Sequence, residues 1–393
     1  MTAPQKFRAV CYTIEGLTSF ATVIFFNYLY FFFRDQFGFD TKRNLALAAL
    51  IGLIYTLASW QGGRLAARFG YFTALITGFS IMTAGVAVAS QLHTASGIIA
   101  AACVVNMGMC LIWPTIEAMV SEGAVAADAV GFYNMTWATT NAVAYFIGGT
   151  LLEKLGYRSI FFVPLACLLV LLGLTIWLAT AIGHPVAPIP VAAGPAEDAP
   201  PPAPDRPSAA RARNFKHMAL LANPFAYIAI NTLLAVMPGI ATKLHLSPMV
   251  TGFTCSLWCF VRLGVFFFLW YWTGWHYRFR WLVTAFVLLV LSFATILIAP
   301  DLPLLCAAQL LFGWAIGLIY YSSLFYSMDA SDTKSEHGGI HEAAIGMGNC
   351  LGPALGASAL VFLPQYPNSG AVAVSLLLLG GLGALLIIRK TGR

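Results

Sequence analysis

Charge is what this sequence has least of. Only 9% of its 393 residues are Asp, Glu, Lys or Arg, where soluble chains carry about 25%. Fifteen acids against 21 bases leave a modest +6. So apolar a composition excludes a disordered chain, and the thin spread of basic residues excludes a nucleic-acid binder. The eight cysteines, Cys11, Cys103, Cys110, Cys167, Cys255, Cys259, Cys306 and Cys350, fall inside apolar runs without paired-ligand spacing. That excludes a disulfide-stapled secreted module. Cys255 and Cys259 share a helix face, yet a metal or redox site needs further ligands that the sequence does not supply. No P-loop pattern occurs either, so direct ATP coupling is not expected, and no cofactor is implied.

What the chain does contain is apolar: 60% hydrophobic residues, 29 Phe and a mean hydropathy of +0.81. This composition predicts an all-α polytopic membrane protein whose main solvent is the lipid bilayer. The apolar run after Lys6 and Arg8 continues to Phe33, too long for a cleavable signal peptide, and reads as a first span. Stretches of about 20 mostly apolar residues follow one another near 8–33, 45–63, 72–90, 96–120, 131–152 and 159–182, then near 217–241, 249–272, 281–299, 303–328, 339–362 and 370–388.

Twelve expected spans thus fall into two sets of six. Between them, residues 183–216 hold nine prolines from Pro185 to Pro207 among alanines, which forbids a helix there and predicts a solvated tether. The expected organisation is a six-helix bundle over 1–182, a linker over 183–216 and a second bundle over 217–393. Fourteen of the 21 basic residues, from Lys6 and Arg8 to Lys390 and Arg393, fall on the side of the termini and linker, against six opposite. The positive-inside rule makes that side cytoplasmic.

The two sixes superpose with a shift of about 210 residues, as duplication of one unit would leave them. Gly131, Asn141 and Gly148 fall on Gly339, Asn349 and Gly356; Gly108 and Met119 fall on Gly317 and Met328; Arg68-Phe69 falls on Arg278-Phe279. After span two, Gly63-Arg64-Leu65-Ala66-Ala67-Arg68-Phe69-Gly70 matches a Gly-x-Leu-x-Asp-Arg-x-Gly pattern at both glycines, the leucine and the arginine. With six plus six spans and a long middle loop, the chain resembles the major facilitator superfamily over its whole length. Ala67 stands where that family has an aspartate, so the usual charge relay at the cytoplasmic gate is altered. Gly348, Gly352, Pro353 and Gly356 in span eleven resemble the glycine-proline motif that family antiporters carry in span five; here span five has Gly148-Gly149 and no proline.

An ionisable group inside a membrane span marks a functional site by default. Four such groups occur: Arg262, Glu15, Glu117 and, at the start of span eleven, Glu342. Arg262 is about thirteen residues into span eight, near the midplane and too deep to snorkel. Its planar guanidinium offers a bidentate fork to a carboxylate or phosphate, and an arginine in span eight is similar to the organic-anion and monocarboxylate branches of the family. The alternative is a permanent ion pair with Glu15 or Glu117 that locks helices together. In the family, spans one, four, seven and ten line the central cavity, so the resemblance implies that Glu15 or Glu117 takes up a proton as access alternates. Solvation near the interface is the alternative for Glu117. Asn141, Asn349, Asn106, Asn231, Tyr320, Tyr321, Trp113 and Trp258 could add a polar lining, or serve as interhelical hydrogen bonds.

In the family the basic loop packs against the cytoplasmic end of span eleven, which implies that Arg64 and Arg68 face Glu342 and its neighbours Asp329, Asp332 and Glu336. His337 and His341 have zinc-protease spacing, but Glu342 lies outside the pair and Gly338-Gly339 would break the helix such a site requires. No metal is expected. The leading expectation is a monomeric secondary transporter of the plasma or bacterial inner membrane, a symporter of a small organic anion with protons and not an enzyme. The alternatives are an efflux pump for amphipathic compounds and a non-transporting receptor or assembly factor that kept the fold.

Overall fold

The computed structural model describes residues 3–121, 126–182, 208–329 and 335–391. Among them are twelve long helices: α1 Ala3–Phe37, α2 Thr41–Phe69, α3 Tyr71–Ala89, α4 Ala95–Ser121, α5 Ala126–Leu155, α6 Ser159–Ile182, α7 Ala209–Lys243, α8 Pro248–Tyr271, α9 Phe279–Ile298, α10 Leu302–Asp329, α11 Ser335–Phe362 and α12 Ser369–Thr391. Eleven are long and apolar enough to cross a membrane. The exception is α5, of 30 residues, which carries Asn134, Thr136, Thr139, Thr140 and Asn141 and packs on α1 and α8 in the middle of the molecule. Its polar groups are satisfied without lipid: Asn134 is fully buried, and the threonine hydroxyls, that of the exposed Thr139 included, donate to carbonyls of their own helix.

Local signals set the helix ends. The carboxylate of Asp40 accepts from the Arg43 N–H at 2.8 Å and caps α2; Gly70, with φ +88°, supplies the left-handed bend that lets α3 begin one residue after α2 ends. The hydroxyls of Ser208 and Ser247 cap α7 and α8, and Pro248 opens α8 at a position where no helical N–H is needed. The linker is therefore shorter than 183–216: residues 209–216 belong to α7, because this proline-free stretch follows a capping serine. The proline-rich 183–207 lies outside the described residues, as do Asp332 and the side chains of Asp329, Glu336, His337 and His341.

The helices form two bundles, α1–α6 and α7–α12, that meet along two main seams, α2 against α11 and α5 against α8. A shift of six helices carries α2 onto α8 and α5 onto α11, so each seam is the image of the other, as duplication requires. Both are tight. A Cβ on Gly52 would strike the backbone of Asn349, and one on Gly149 the carbonyl of Pro248. Outward, Leu57, Phe162, Leu169, Ile298, Leu376 and Ile387 are exposed, a belt of apolar side chains suited to lipid. The protein is an integral multi-pass membrane protein.

Candidate functional site

Arg262 is the fifteenth of the 24 residues of α8 and only 5% exposed. Its guanidinium lies over two indole faces, 4.5 Å from the ring centre of Trp137 on α5 and 4.8 Å from that of Trp258 one turn back on α8. Nη2 donates to Asn141 Oδ1 at 3.2 Å, and the Cys259 thiol donates to the same oxygen at 3.4 Å. Nε is buried with no hydrogen-bond partner. No carboxylate among the described residues pairs with it, so the helix-locking ion pair with Glu15 or Glu117 is absent from this conformation. Cation–π contacts of about 0.5–2 kcal/mol each and one hydrogen bond offset only part of the several kcal/mol that burying an ion costs.

Two faces of the molecule close around this arginine. On the side of the α2 and α10 C-termini, Tyr55, Trp137, Phe266, Tyr320, Tyr321 and Ile345 form an apolar plug drawn from both bundles; Tyr320 packs edge-on against Trp137 at 5.3 Å and lies 5.7 Å from Phe266. Opposite, Arg34 Nε on α1 donates to Thr242 Oγ1 on α7 at 3.1 Å, and the Met249 N–H at the start of α8 donates to Glu153 Oε2 on α5 at 3.1 Å. The conformation is closed on both sides.

The acids gather in the half that holds the plug. Glu15 is fully buried, and neither carboxylate oxygen has a hydrogen-bond partner. Glu117, half-buried on α4, is within electrostatic reach of Glu15 and of Glu342, and Tyr133 of all three. Glu342 is 8% exposed and accepts a 2.5 Å hydrogen bond from the Tyr55 hydroxyl across the α2–α11 seam. Among the described contacts Glu342 thus pairs with a tyrosine, while the neighbouring acids expected to face the basic loop have side chains outside the described residues. Depth explains the tyrosine: Tyr55 precedes Arg64 by nine residues on α2, about 13 Å along the axis, while Arg64 and Arg68 are exposed near its end and Arg68 lies over its neighbour Phe69.

Other expected lining residues divide. Asn231 donates to Asn349 Oδ1 at 2.5 Å, tying α7 to α11, and Asn106 donates to the Ile51 carbonyl at 2.8 Å, tying α4 to α2. These three make interhelical bonds in this conformation, whereas Asn141 and Trp258 touch Arg262 directly. Tyr321 sits in the plug, beside Phe266. Sequence reasoning missed Trp137, whose signal was its place one turn before Asn141 on the same face of α5. It also missed Tyr55, for which a mid-span tyrosine is no signal at all.

The sequence matches no family model and no curated protein. Its structure is similar to the crystal structure of the human organic anion transporter MFSD10 (TETRAN), with a TM-score of 0.65 and 14% identity over 99% of this chain and 100% of that one. It is similar also to a point variant of the peptide transporter POT, with a TM-score of 0.73 and 14% identity over 98% of this chain and 95% of that one. The same POT variant in complex with sulfate matches with a TM-score of 0.73 and 15% identity over 98% and 94%. The fold is that of the major facilitator superfamily. All three are described as transporters, and at such identities what they share with this chain is the fold.

Proposed function

We propose that this chain is a secondary transporter that moves a small organic anion by alternating access, coupled to protons. The observation that carries the reading is Arg262: a charge deep in the membrane, 5% exposed, with two indoles and an amide for company and no acidic partner among the described residues. An incompletely compensated buried cation is a site awaiting an anion, and the same charge repels the amphipathic cations that a broad efflux pump would carry. One solved neighbour is described as an organic anion transporter, which agrees with this substrate class. Glu15 is the proposed proton carrier. Burying an ionised carboxylate without donors is costly, and a bound proton removes that cost. We place the termini and linker in the cytoplasm of a plasma or bacterial inner membrane, the chain acting as a monomer.

Uptake into proteoliposomes tests the proposal. Arg262→Lys keeps the charge and loses the planar fork, so anion affinity should fall while some transport survives. Arg262→Gln should abolish anion binding, a charged hydrogen bond being worth about 1.5–3 kcal/mol. Full anion transport by Arg262→Gln would refute the substrate site; no uptake of any anion by the wild-type protein would favour a receptor.

A further inference from the structure

The two bundles are images of each other in fold but not in charge. A shift of six helices carries α3 onto α9 and α6 onto α12, and α3 and α6 hold no charged residue at all. Their images do. At the end of the molecule that carries the chain's termini, Arg278 and Arg280 stand at the start of α9, and Arg389 and Lys390 at the end of α12. Arg211, Arg213 and Lys216 join them from the first turns of α7. The three helices pack on one another and have no acid anywhere along their lengths. Orientation in the bilayer needs basic residues in the loops and at helix ends on one side, which Arg64 and Arg68 also supply; it does not call for a cluster on two outer helices of one bundle alone.

This corner has a built floor. Gly381 on α12 lets the ring of Phe225 on α7 come in against it, and that ring lies 5.7 Å from the ring of Phe286 on α9. Two to three turns nearer the end, the same faces bring the Arg389 guanidinium over Phe279 at 5.2 Å and Phe215 at 5.8 Å. Arg211 Nη2 donates to the Tyr277 carbonyl at 2.9 Å, tying α7 to the turn before α9. Arg389 is half-buried between its rings, whereas Arg213, Arg278, Arg280 and Lys390 are exposed. Trp272 and Trp281, with rings 5.2 Å apart at the α8–α9 turn, are of the type that settles at headgroup depth, and Leu386 and Ile387, just before the α12 bases, are exposed as if to acyl chains.

We propose that this corner binds the headgroup of an anionic phospholipid, Arg280 and Lys390 taking its phosphate above Arg389 and the acyl chains lying along α9 and α12. A soluble phosphate would meet the same charges without the apolar flank, and a zwitterionic headgroup offsets its phosphate with its own cation. The proposal is independent of the anion reading of Arg262.

The test is titration of the full chain in detergent with dioleoylphosphatidylglycerol or dioleoylphosphatidylcholine, bound lipid being counted by native mass spectrometry. Phosphatidylglycerol should fill one site at least tenfold more tightly than phosphatidylcholine. Arg280→Gln with Lys390→Gln should weaken it about 30-fold, or about fivefold for each base removed, while Arg280→Lys with Lys390→Arg should keep it. Arg64→Gln with Arg68→Gln removes the same charge from the same side of the first bundle and should change the affinity by less than about threefold. If the paired glutamine variant unfolds at a lower temperature than the wild type, each single variant is titrated for its own fivefold loss. An equal loss in the Arg64 and Arg68 variant would mean diffuse attraction and overturn the site, as would equal affinity for the two lipids. Displacement of the bound lipid by glycerol phosphate at matching concentration would assign the corner to a soluble phosphate and overturn the lipid.

Discussion

Tyr55→Phe deletes one oxygen atom, and its effect can be worked out from the seam. Tyr55 comes from the first bundle and Glu342 from the second; they are 7% and 8% exposed, joined by a 2.5 Å hydrogen bond. A hydrogen bond to a charged group contributes about 1.5–3 kcal/mol, and its loss leaves the acceptor buried. Opening the plug side parts α2 from α11 and admits water to Glu342, so the loss falls on the closed state alone. At 1.4 kcal/mol per factor of ten, the equilibrium should move about 10- to 150-fold toward the state open on that side. Leu324 lies in the same plug at 7% exposure and makes a reporter. In a background freed of reactive native cysteines, Leu324→Cys should be alkylated correspondingly faster when Tyr55 is phenylalanine. An unchanged alkylation rate, with an unchanged unfolding temperature, would refute a gating role for this pair. Glu342→Gln should act in the same direction with a smaller shift, since a neutral hydrogen bond remains.

Glu15→Gln should keep or raise the unfolding temperature, since it removes an unpartnered buried carboxylate, yet abolish accumulation driven by a pH gradient while counterflow exchange continues; equal loss of both would remove Glu15 from coupling. Gly149→Ala places a methyl group against the Pro248 carbonyl and should cost about 1–3 kcal/mol, read as a fall in unfolding temperature, with faster labelling of cysteines placed on the outer half of the α5–α8 seam. Ser208→Cys, at the start of α7, should resist a membrane-impermeant thiol reagent in intact cells and react after permeabilisation. Reaction before permeabilisation would invert the proposed orientation.

The architecture was legible in the sequence because a bilayer leaves few choices. A backbone in hydrocarbon must satisfy its own hydrogen bonds, so runs of some 20 apolar residues can only be helices, and proline clusters mark where they stop. The repeated Gly, Asn and Arg-Phe positions announced the duplication that the paired seams display. Even so, the linker ended eight residues early, because a basic, alanine-containing stretch reads as solvated whether or not it is helical. The site was half legible. Arg262 and Asn141 stood out as polar groups where none is tolerated. Trp137 did not, since an aromatic in a membrane helix is unremarkable until its partner is known. The Tyr55 partner of Glu342 was not legible because span numbering orders residues along a helix but does not say how far the facing helix has slid.

The acids around Arg262 give the proposed coupling its sign, and their distance sets its strength. Arg262 stands apart from Glu15, Glu117 and Glu342, yet Tyr227 and Tyr320 lie within electrostatic reach of both Arg262 and Glu342, so the two groups share one electrostatic neighbourhood. Direct pairing would cancel the arginine's charge until the carboxylate took up a proton. At a distance, the acids lower the potential at Arg262 only while they are ionised. A proton arriving on any of them makes the arginine's surroundings more positive and strengthens its hold on an anion. By thermodynamic reciprocity the bound anion strengthens proton uptake to the same degree. Proton and anion therefore favour each other's binding, which is the condition for carrying both across the membrane in one direction. A carboxylate paired directly with Arg262 would give coupling of the same sign and greater strength, since its protonation would free the guanidinium for the anion and the anion's arrival would release the carboxylate to take up a proton.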